Sequence, residues 1–505
     1  MSLLGDPSLA APGAPRLLFV RARIEDDRGE ASGPAQAPLV LGAVARGLGW
    51  DVRCLDAYLE DDPEQALRAA LSEFPADVIG LTALTAEFRS MHRLARVARA
   101  VRPGAVVLAG GPHPSADPED TVANDAIDAA VIGEGELTLE DVLRRVVRDE
   151  PWQDVPGLAL RGPDGRVRHN APRPAIEDLD SLPMPAFDLT DVEAYSHRRG
   201  MSQSGKRRYM PITTSRGCPY RCTYCHDIQG KSFRAHGPAW VLRMVDELRE
   251  RWDVHSFDVT DDIFNFDAER MLEICKGFVA RPDVTFACPN GIRADRMTPE
   301  QAERMADAGL EYVAIAIETA VPRLQKQIRK HLRFDKVLPV IDVFSRRRVL
   351  VSGFFMVGFP GETEPEMQAT IDFACRSKLH TAYFFVTTPF AGTEMHEQIV
   401  AERGAEAAAI VGSGFFFRPV VNLSAIPDGR FARMRRNGYL RFYLDPRRVV
   451  RIFLAHPRKR DLLEYFTTVF LRDTLRIEPA RLLARLSRRP AARRRAVPPV
   501  AAAAK

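Results

Sequence analysis

Short apolar runs alternate with helical-period segments in two separate blocks of this chain, and that alternation restricts the fold to parallel sheets covered by helices. In the first block the apolar runs are 17–22, 51–57, 77–84, 105–111 and 129–133. Helical patterns lie between them at 38–48, 63–74, 88–102 and 118–123, with another after Glu136. Five strands linked by helices predict a doubly wound α/β domain over residues 15–150, flavodoxin- or Rossmann-like. Its ligand belongs outside the carboxyl ends of the strands, at the topological switch point. That rule singles out the loop 23–34 after strand one, Thr85–Glu87 after strand three, Gly110-Gly111-Pro112-His113-Pro114-Ser115 after strand four and Gly133-Glu134-Gly135-Glu136 after strand five. The glycines there permit close backbone approach to a ligand, and tight turns explain them equally well.

Residues 151–205 are rich in Pro, Asp and Arg and read as a linker, with a hairpin at Gly162-Pro163-Asp164-Gly165. Over 206–400 the alternation resumes, with apolar runs at 212–215, 257–260, 284–288, 312–317, 350–357 and 382–387. Helical patterns separate them at 238–251, 268–279, 299–308, a stretch from 322 to 347, and 363–376. Six βα repeats are too few for a closed eight-stranded barrel and predict an open, partial (β/α)6 barrel, in which every loop at a strand's carboxyl end is a candidate site. Residues 401–478 read as mainly helical. Their aromatic stretches Phe415-Phe416-Phe417-Arg418 and Arg441-Phe442-Tyr443 are expected to cap the barrel as core. Residues 479–505 form a basic tail of disordered composition, read as solvated, although acidic lipid or RNA would suit its charge.

Composition excludes several classes. Apolar residues are 46% and charged residues 27% of 505, ordinary for a globular chain, and Lys+Arg 71 against Asp+Glu 67 leaves a net charge of +4. No global field therefore argues for nucleic acid. No run of about 18 uncharged apolar residues occurs, so no membrane span is expected, and no basic segment followed by an apolar one opens the chain. The protein reads as cytoplasmic. Of seven cysteines, three crowd into eight residues, which fits a metal site in a reducing compartment better than disulfides. Cys54, Cys275, Cys288 and Cys375 are scattered and read as buried small hydrophobes.

The crowded three are Cys218-Pro-Tyr-Arg-Cys222-Thr-Tyr-Cys225, in the first βα loop of the second block. Thiolates spaced i, i+4, i+7 can wrap one face of a soft metal or cluster. A zinc site closed by His226 is the competing reading. Adjacent residues such as Cys225 and His226 rarely both face one ion, and the surrounding β/α frame is larger than a zinc module needs.

With Tyr224 before the last cysteine, the motif resembles the CxxxCxxC signature of the radical S-adenosylmethionine (SAM) superfamily. The resemblance implies that Cys218, Cys222 and Cys225 hold a [4Fe–4S] cluster whose open iron is chelated by SAM. Reduction then releases a 5′-deoxyadenosyl radical. Further strand ends agree with it: Asp258-Val-Thr-Asp261-Asp262-Ile-Phe264, Asn290-Gly-Ile-Arg293-Ala-Asp295, Ile315-Ala-Ile-Glu318-Thr, Gly358-Phe-Pro-Gly361-Glu and Thr388-Pro-Phe-Ala-Gly392. It implies a SAM-binding set of Tyr224, Asp261, Asp262, Asn290, Arg293 and Glu318. Asp261 and Asp262 would lie near the amino group, and Arg293 and Glu318 near the carboxylate and ribose. The residues alone leave other readings open: an ion pair between Arg293 and Glu318, general acid/base work by Asp261 and Asp262, or a turn with a helix cap at Asn265 or Asp267.

The first block resembles the cobalamin-binding domain that precedes the barrel in one large radical SAM class of methyltransferases and cyclases. Leu179-Asp180-Ser-Leu-Pro183-Met-Pro185 is also typical of that class. This implies cobalamin contacts at Gly110, Gly111, His113, Gly133 and Glu134. The DxHxxG signature of other cobalamin proteins is absent and no His precedes His92, so no imidazole from that loop ligates the lower face of cobalt. A domain that has lost its cofactor is the alternative. The expected activity is methylation of an unactivated carbon in a natural-product, lipid or tetrapyrrole intermediate, with a small-molecule substrate and a flavodoxin- or ferredoxin-type electron donor. A non-methylating cyclase or ring-rearrangement enzyme, and a non-enzymatic cobalamin or Fe–S sensor, are the rivals. A methylthiotransferase is disfavoured, because it needs three further cysteines in a domain that here holds only Cys54.

Overall fold

The computed structural model describes residues 3–25, 33–198, 200–205, 207–404 and 422–462. The chain divides into a unit Met1–Lys459 and a unit Arg460–Lys505, and of the second only residues 460–462 are described. Residues 26–32 of the first loop, the run 415–418 and the tail 479–505 lie outside the described residues.

The first sheet contains β1 (Arg16–Arg21), β2 (Asp51–Asp56), β3 (Val78–Thr82), β4 (Val106–Gly110), β5 (Ala129–Val131), β6 (Leu158–Arg161) and β7 (Val167–His169), in the order β2-β1-β3-β4-β5-β6-β7. Its first five strands are parallel and were expected. Helices Pro63–Glu73 and Phe88–Val101 bury Leu67, Leu71, Met91 and Leu94 against Leu18, Val20, Ile79 and Val107. The chain turns to one side of β1 for β2 and to the other for β3, which puts the switch point at the carboxyl ends of β1 and β3. Residues 151–205 are more than a linker. β6 pairs antiparallel with β5 and β7 antiparallel with β6, around the expected Gly162–Gly165 turn, where Gly165 N donates to Gly162 O at 2.9 Å.

The second sheet is a partial barrel of six parallel strands, β8 (Tyr209–Ile212), β11 (Ser256–Val259), β12 (Thr285–Ile292), β13 (Leu310–Glu318), β14 (Leu350–Val357) and β15 (Thr381–Val386), neighbours in space in that sequence. The expected run 212–215 sits three residues late. β8 ends at Ile212, and the chain then leaves the sheet to pair β9 (Ser215–Arg216) antiparallel with β10 (Arg234–Ala235). The stretch from 322 to 347 forms two helices, Pro322–Gln327 and Phe334–Arg346, because Arg329 and His331 between them take left-handed φ values of 54° and 52°. No described helix is long and apolar enough to cross a membrane.

β15 is an edge strand, and an open edge invites pairing with another chain. Helix Asp428–Tyr443 covers it. Phe384 N donates to Tyr439 Oη at 2.8 Å, Ala382 N donates to Tyr443 Oη at 3.2 Å, and Arg435 Nε donates to Phe384 O at 2.7 Å. Hydroxyls four residues apart on a helix thus meet amides two apart on a strand, and Phe442 between them is fully buried. Tyr439→Phe strands the buried Phe384 amide and should cost about 1–3 kcal/mol in chemical denaturation. An unchanged midpoint would show that the helix does not close the edge.

Candidate functional site

Between β9 and β10 the loop 217–233 carries the three cysteines. Its base is fixed by Asp261, which follows β11 and is 2% exposed. Asp261 accepts from Thr214 N (2.5 Å), Thr214 Oγ1 (2.6 Å) and Ser215 Oγ (2.6 Å). Burial pushes its carboxyl up, and those donors oppose the shift. The side chain expected at the SAM amino group is therefore spent holding the chain at the end of β8, with its lone pairs taken by the backbone and hydroxyls of that turn. Asp262 faces elsewhere. It is exposed and accepts from Gly217 N at 3.1 Å. Asn290 is exposed on the bulge of β12, its amide donating to Thr260 O (3.1 Å) and Asp261 O (3.2 Å). The helix cap is Asp267, which accepts from Arg270 N at 3.0 Å. Asn265 is buried and bonds both ways with the backbone of Arg293.

Gly217 starts the loop at φ +79°, and a Cβ there would lie 2.2 Å from Ser232 O. The far side is tied to the barrel by Thr223 N to Ile328 O (3.2 Å) and Met395 N to Thr223 O (2.8 Å). Cys218 and Cys222 are half-buried and Cys225 is exposed. Burial pushes the Cys218 thiol up, and nearby Asp262 and Cys222 add to the shift. Burial likewise pushes the Cys225 thiol up, and Cys222 adds to the shift. His226 packs on Phe390, ring centroids 5.9 Å apart, and neither it nor the three cysteines belongs to a set of three or more ligand atoms within 4.8 Å of one another among the described residues. Three thiols on one loop, wider apart than the ligands of a single ion, suit a cluster with one open iron better than a closed zinc site.

A set of buried charges lies behind the cysteines. Glu318, the last residue of β13, sits at φ +65° beyond a bulge that breaks the register at Ala316, a strained geometry that re-aims its side chain. Its Oε1 accepts from Tyr224 Oη (3.0 Å) and Lys330 Nζ (3.1 Å). Burial opposes the charge on Lys330, and Glu318 outweighs it, raising the lysine pKa. Arg293 pairs with Asp295 at 3.1 Å, donates to Lys330 O at 2.9 Å and stacks over Tyr220 at 3.9 Å, while its Nη1 is buried without a hydrogen-bond partner. The structure thus separates Arg293 from Glu318, giving each a different partner. Sequence reasoning missed Lys330, because it lies in a basic run, Arg329-Lys330-His331-Leu332-Arg333, that looks like a solvated face.

On the N-terminal side, β4 ends at Gly110. Gly111 follows at φ +104°, where a Cβ would meet Thr82 Oγ1 at 2.8 Å. His113 is buried. Its Nε2 and that of His92 each lie 3.0 Å from Asp120 Oδ2, holding that carboxyl well below the usual range. Asn124 is oriented by Ala126 N on its oxygen and His92 O on its nitrogen, so it donates to His92 Nδ1 at 3.1 Å. Asp120 Oδ2 is thus shared by the Nε2 atoms of both imidazoles, and the three side chains have the spacing of a metal-ligand set. Gly133 takes φ +74°, its N–H donating to Ser115 Oγ at 3.0 Å. Glu134, expected at the cofactor, is ion-paired in this structure. Its carboxylate reaches Arg234 (2.7 Å) and Arg216 (3.4 Å) on the ribbon that closes the cysteine loop. The two sets of loops face each other: a Cβ on Gly392 would lie 3.4 Å from Ala116, and one on Gly133 would lie 4.0 Å from Ile228 O.

Residues 32–143 match the family model for the B12 binding domain, and residues 212–374 match that of the radical SAM superfamily. Three relatives are similar along most of the chain. An uncharacterized methyltransferase of Pyrococcus horikoshii is 26% identical over 80% of this chain and 87% of its own. The cytidylyl-2-hydroxyethylphosphonate methyltransferase of Streptomyces wedmorensis is 27% identical over 78% and 83%. The anaerobic magnesium-protoporphyrin IX monomethyl ester cyclase of Rubrivivax gelatinosus is 24% identical over 88% and 80%. In fold the chain is similar to the radical SAM methyltransferase TsrM from Kitasatospora setae, solved with cobalamin and a [4Fe–4S] cluster, at a TM-score of 0.64 and 19% identity over 77% of this chain and 75% of that one.

Gly217→Ala should disrupt the cysteine loop alone. Iron bound after anaerobic reconstitution is expected to fall below about half of wild type with an unchanged far-ultraviolet spectrum. Full iron content would contradict the role given to that turn.

Proposed function

Because the chain is a radical SAM enzyme carrying a B12-binding domain, we propose that it methylates an unactivated carbon of a small natural-product, lipid or tetrapyrrole intermediate. When bound, the cluster and SAM supply a 5′-deoxyadenosyl radical and cobalamin supplies the methyl group. In this reading Cys218, Cys222 and Cys225 hold the cluster. Lys330 and the unpartnered Nη1 of Arg293 offer positive charge to the SAM carboxylate, Glu318 and Tyr224 offer acceptors beside it, and Asp262 and Asn290 lie at the amino-group side. Gly110, Gly111, His113 and Gly133 line the corrin side. Asp261 and Glu134 act through other residues, the first on the β8 turn and the second on the ribbon. Seven unpaired cysteines suit a reducing cytoplasm, and a flavodoxin or ferredoxin type of donor suits the electron demand.

The observation that carries the reading is the facing of the β4 and β5 loops by the cysteine and β15 loops, which brings the loops of the two domains beside one another. The similarity to the Rubrivivax cyclase favours a second reading, ring formation without methyl transfer. Both are tested by incubating the reconstituted protein with SAM, hydroxocobalamin and titanium(III) citrate. Methylation predicts S-adenosylhomocysteine together with 5′-deoxyadenosine. A cyclase gives 5′-deoxyadenosine alone, and a sensor gives neither. Cys218→Ala, Cys222→Ala or Cys225→Ala should lower 5′-deoxyadenosine release by at least about a hundredfold.

A further inference from the structure

The β9–β10 ribbon lies at the base of the cysteine loop, and both of its arginines are engaged by the N-terminal domain. Arg216 Nη2 lies 2.6 Å from Glu136 Oε1, and Arg216 Nη1 lies 3.4 Å from Glu134 Oε1. Arg234 Nη2 lies 2.7 Å from Glu134 Oε1. The four side chains are between 4% and 13% exposed, so these charges are shielded from salt and water. The surrounding groups complete the joint: Arg234 also donates to Ile176 O (2.7 Å) and Gln229 O (2.8 Å), and Ile176 N donates to Glu134 Oε2 (2.9 Å). Glu134 follows Gly133 directly on the loop after β5, and Glu136 opens the helix Glu136–Val147 that comes next. Arg216 stands two residues before Cys218. One rigid joint therefore connects the corrin-side loop to the cluster-side loop.

We propose that Glu134, Glu136, Arg216 and Arg234 are positioning residues that set the separation of cobalamin and the iron–sulfur cluster, an inference that rests on the function proposed above. Arginine suits the task, because two charges on adjacent strands of a ribbon resist sliding and tilting together, and planar guanidinium groups fix direction as well as distance. Neither partner touches the reacting atoms. The joint acts by holding the loops that do.

The test uses the reconstituted full chain with cob(II)alamin and the cluster reduced to its paramagnetic state. The dipolar interaction between these two spins falls with the cube of their separation and needs no substrate. Wild type should give one narrow distance distribution. Glu134→Gln with Glu136→Gln should broaden it at undiminished iron and cobalamin content, and an unchanged distribution overturns the proposal. Glu136→Arg combined with Arg216→Glu in the Glu134→Gln background restores an opposite-charge pair with no carboxylate left at position 134, and should narrow the distribution again. A rescue that fails while both cofactors are bound also counts against the joint. Hydrogen exchange on the cofactor-free protein provides a readout independent of the functional reading. Amides of 133–136 and 215–235 should exchange about tenfold faster in the double glutamine variant, and equal rates overturn the proposal. Wild type that binds neither cofactor but shows the exchange difference would leave the joint standing and remove the function.

Discussion

A single buried carboxylate decides where the barrel gives way to the loop that bears its chemistry. Asp261 takes the backbone N–H and hydroxyl of Thr214 and the hydroxyl of Ser215, while Arg270, itself buried, donates to Thr214 O at 2.7 Å. Thr214 is gripped from both sides, so the chain leaves the sheet after Ile212 in one fixed direction. Charged hydrogen bonds of this kind contribute about 1.5–3 kcal/mol each, and an unpaired partner at this depth costs a comparable amount. The ribbon, the glycine turn and the three thiols all follow from that exit.

The chain buries charge in two places. Behind the cysteines, Glu318, Lys330, Tyr224, Arg293 and Asp295 form a network in which each ion has a counterion. Arg293 still keeps one buried N–H without a hydrogen-bond partner, and the left-handed φ of Glu318 stores strain at the strand end. Spare hydrogen-bonding capacity and strain at one barrel mouth mark a binding site. At the joint with the N-terminal domain the carboxylates lie against arginines and neighbouring backbone, although Glu134 Oε1 and Arg234 Nε, like Arg293 Nη1, are buried without a hydrogen bond of good geometry.

Much of this was legible in residue patterns. The two β/α blocks, the open barrel and the cysteine group follow from periodicity and spacing, since those signals are local. Contacts made by tertiary packing were not legible. Glu134 sits in a glycine-flanked loop where a ligand contact is the natural reading, and only the folded chain brings Arg216 and Arg234 to it. Asp261 and Asp262 are adjacent in sequence, yet one carboxylate turns inward and the other outward. β6 and β7 are the arms of the hairpin expected at Gly162–Gly165, and only the folded chain shows that β6 joins the first sheet beside β5.

The central claim is that three thiols hold an iron–sulfur cluster facing a corrin. Quantitative analysis of iron, acid-labile sulfide, zinc and cobalamin in protein purified without oxygen and reconstituted tests it most directly. The account predicts about four iron, about four sulfide and one corrin per chain, with the iron lost in Cys222→Ala and the corrin kept. Stoichiometric zinc without sulfide, or no retained corrin, would contradict it.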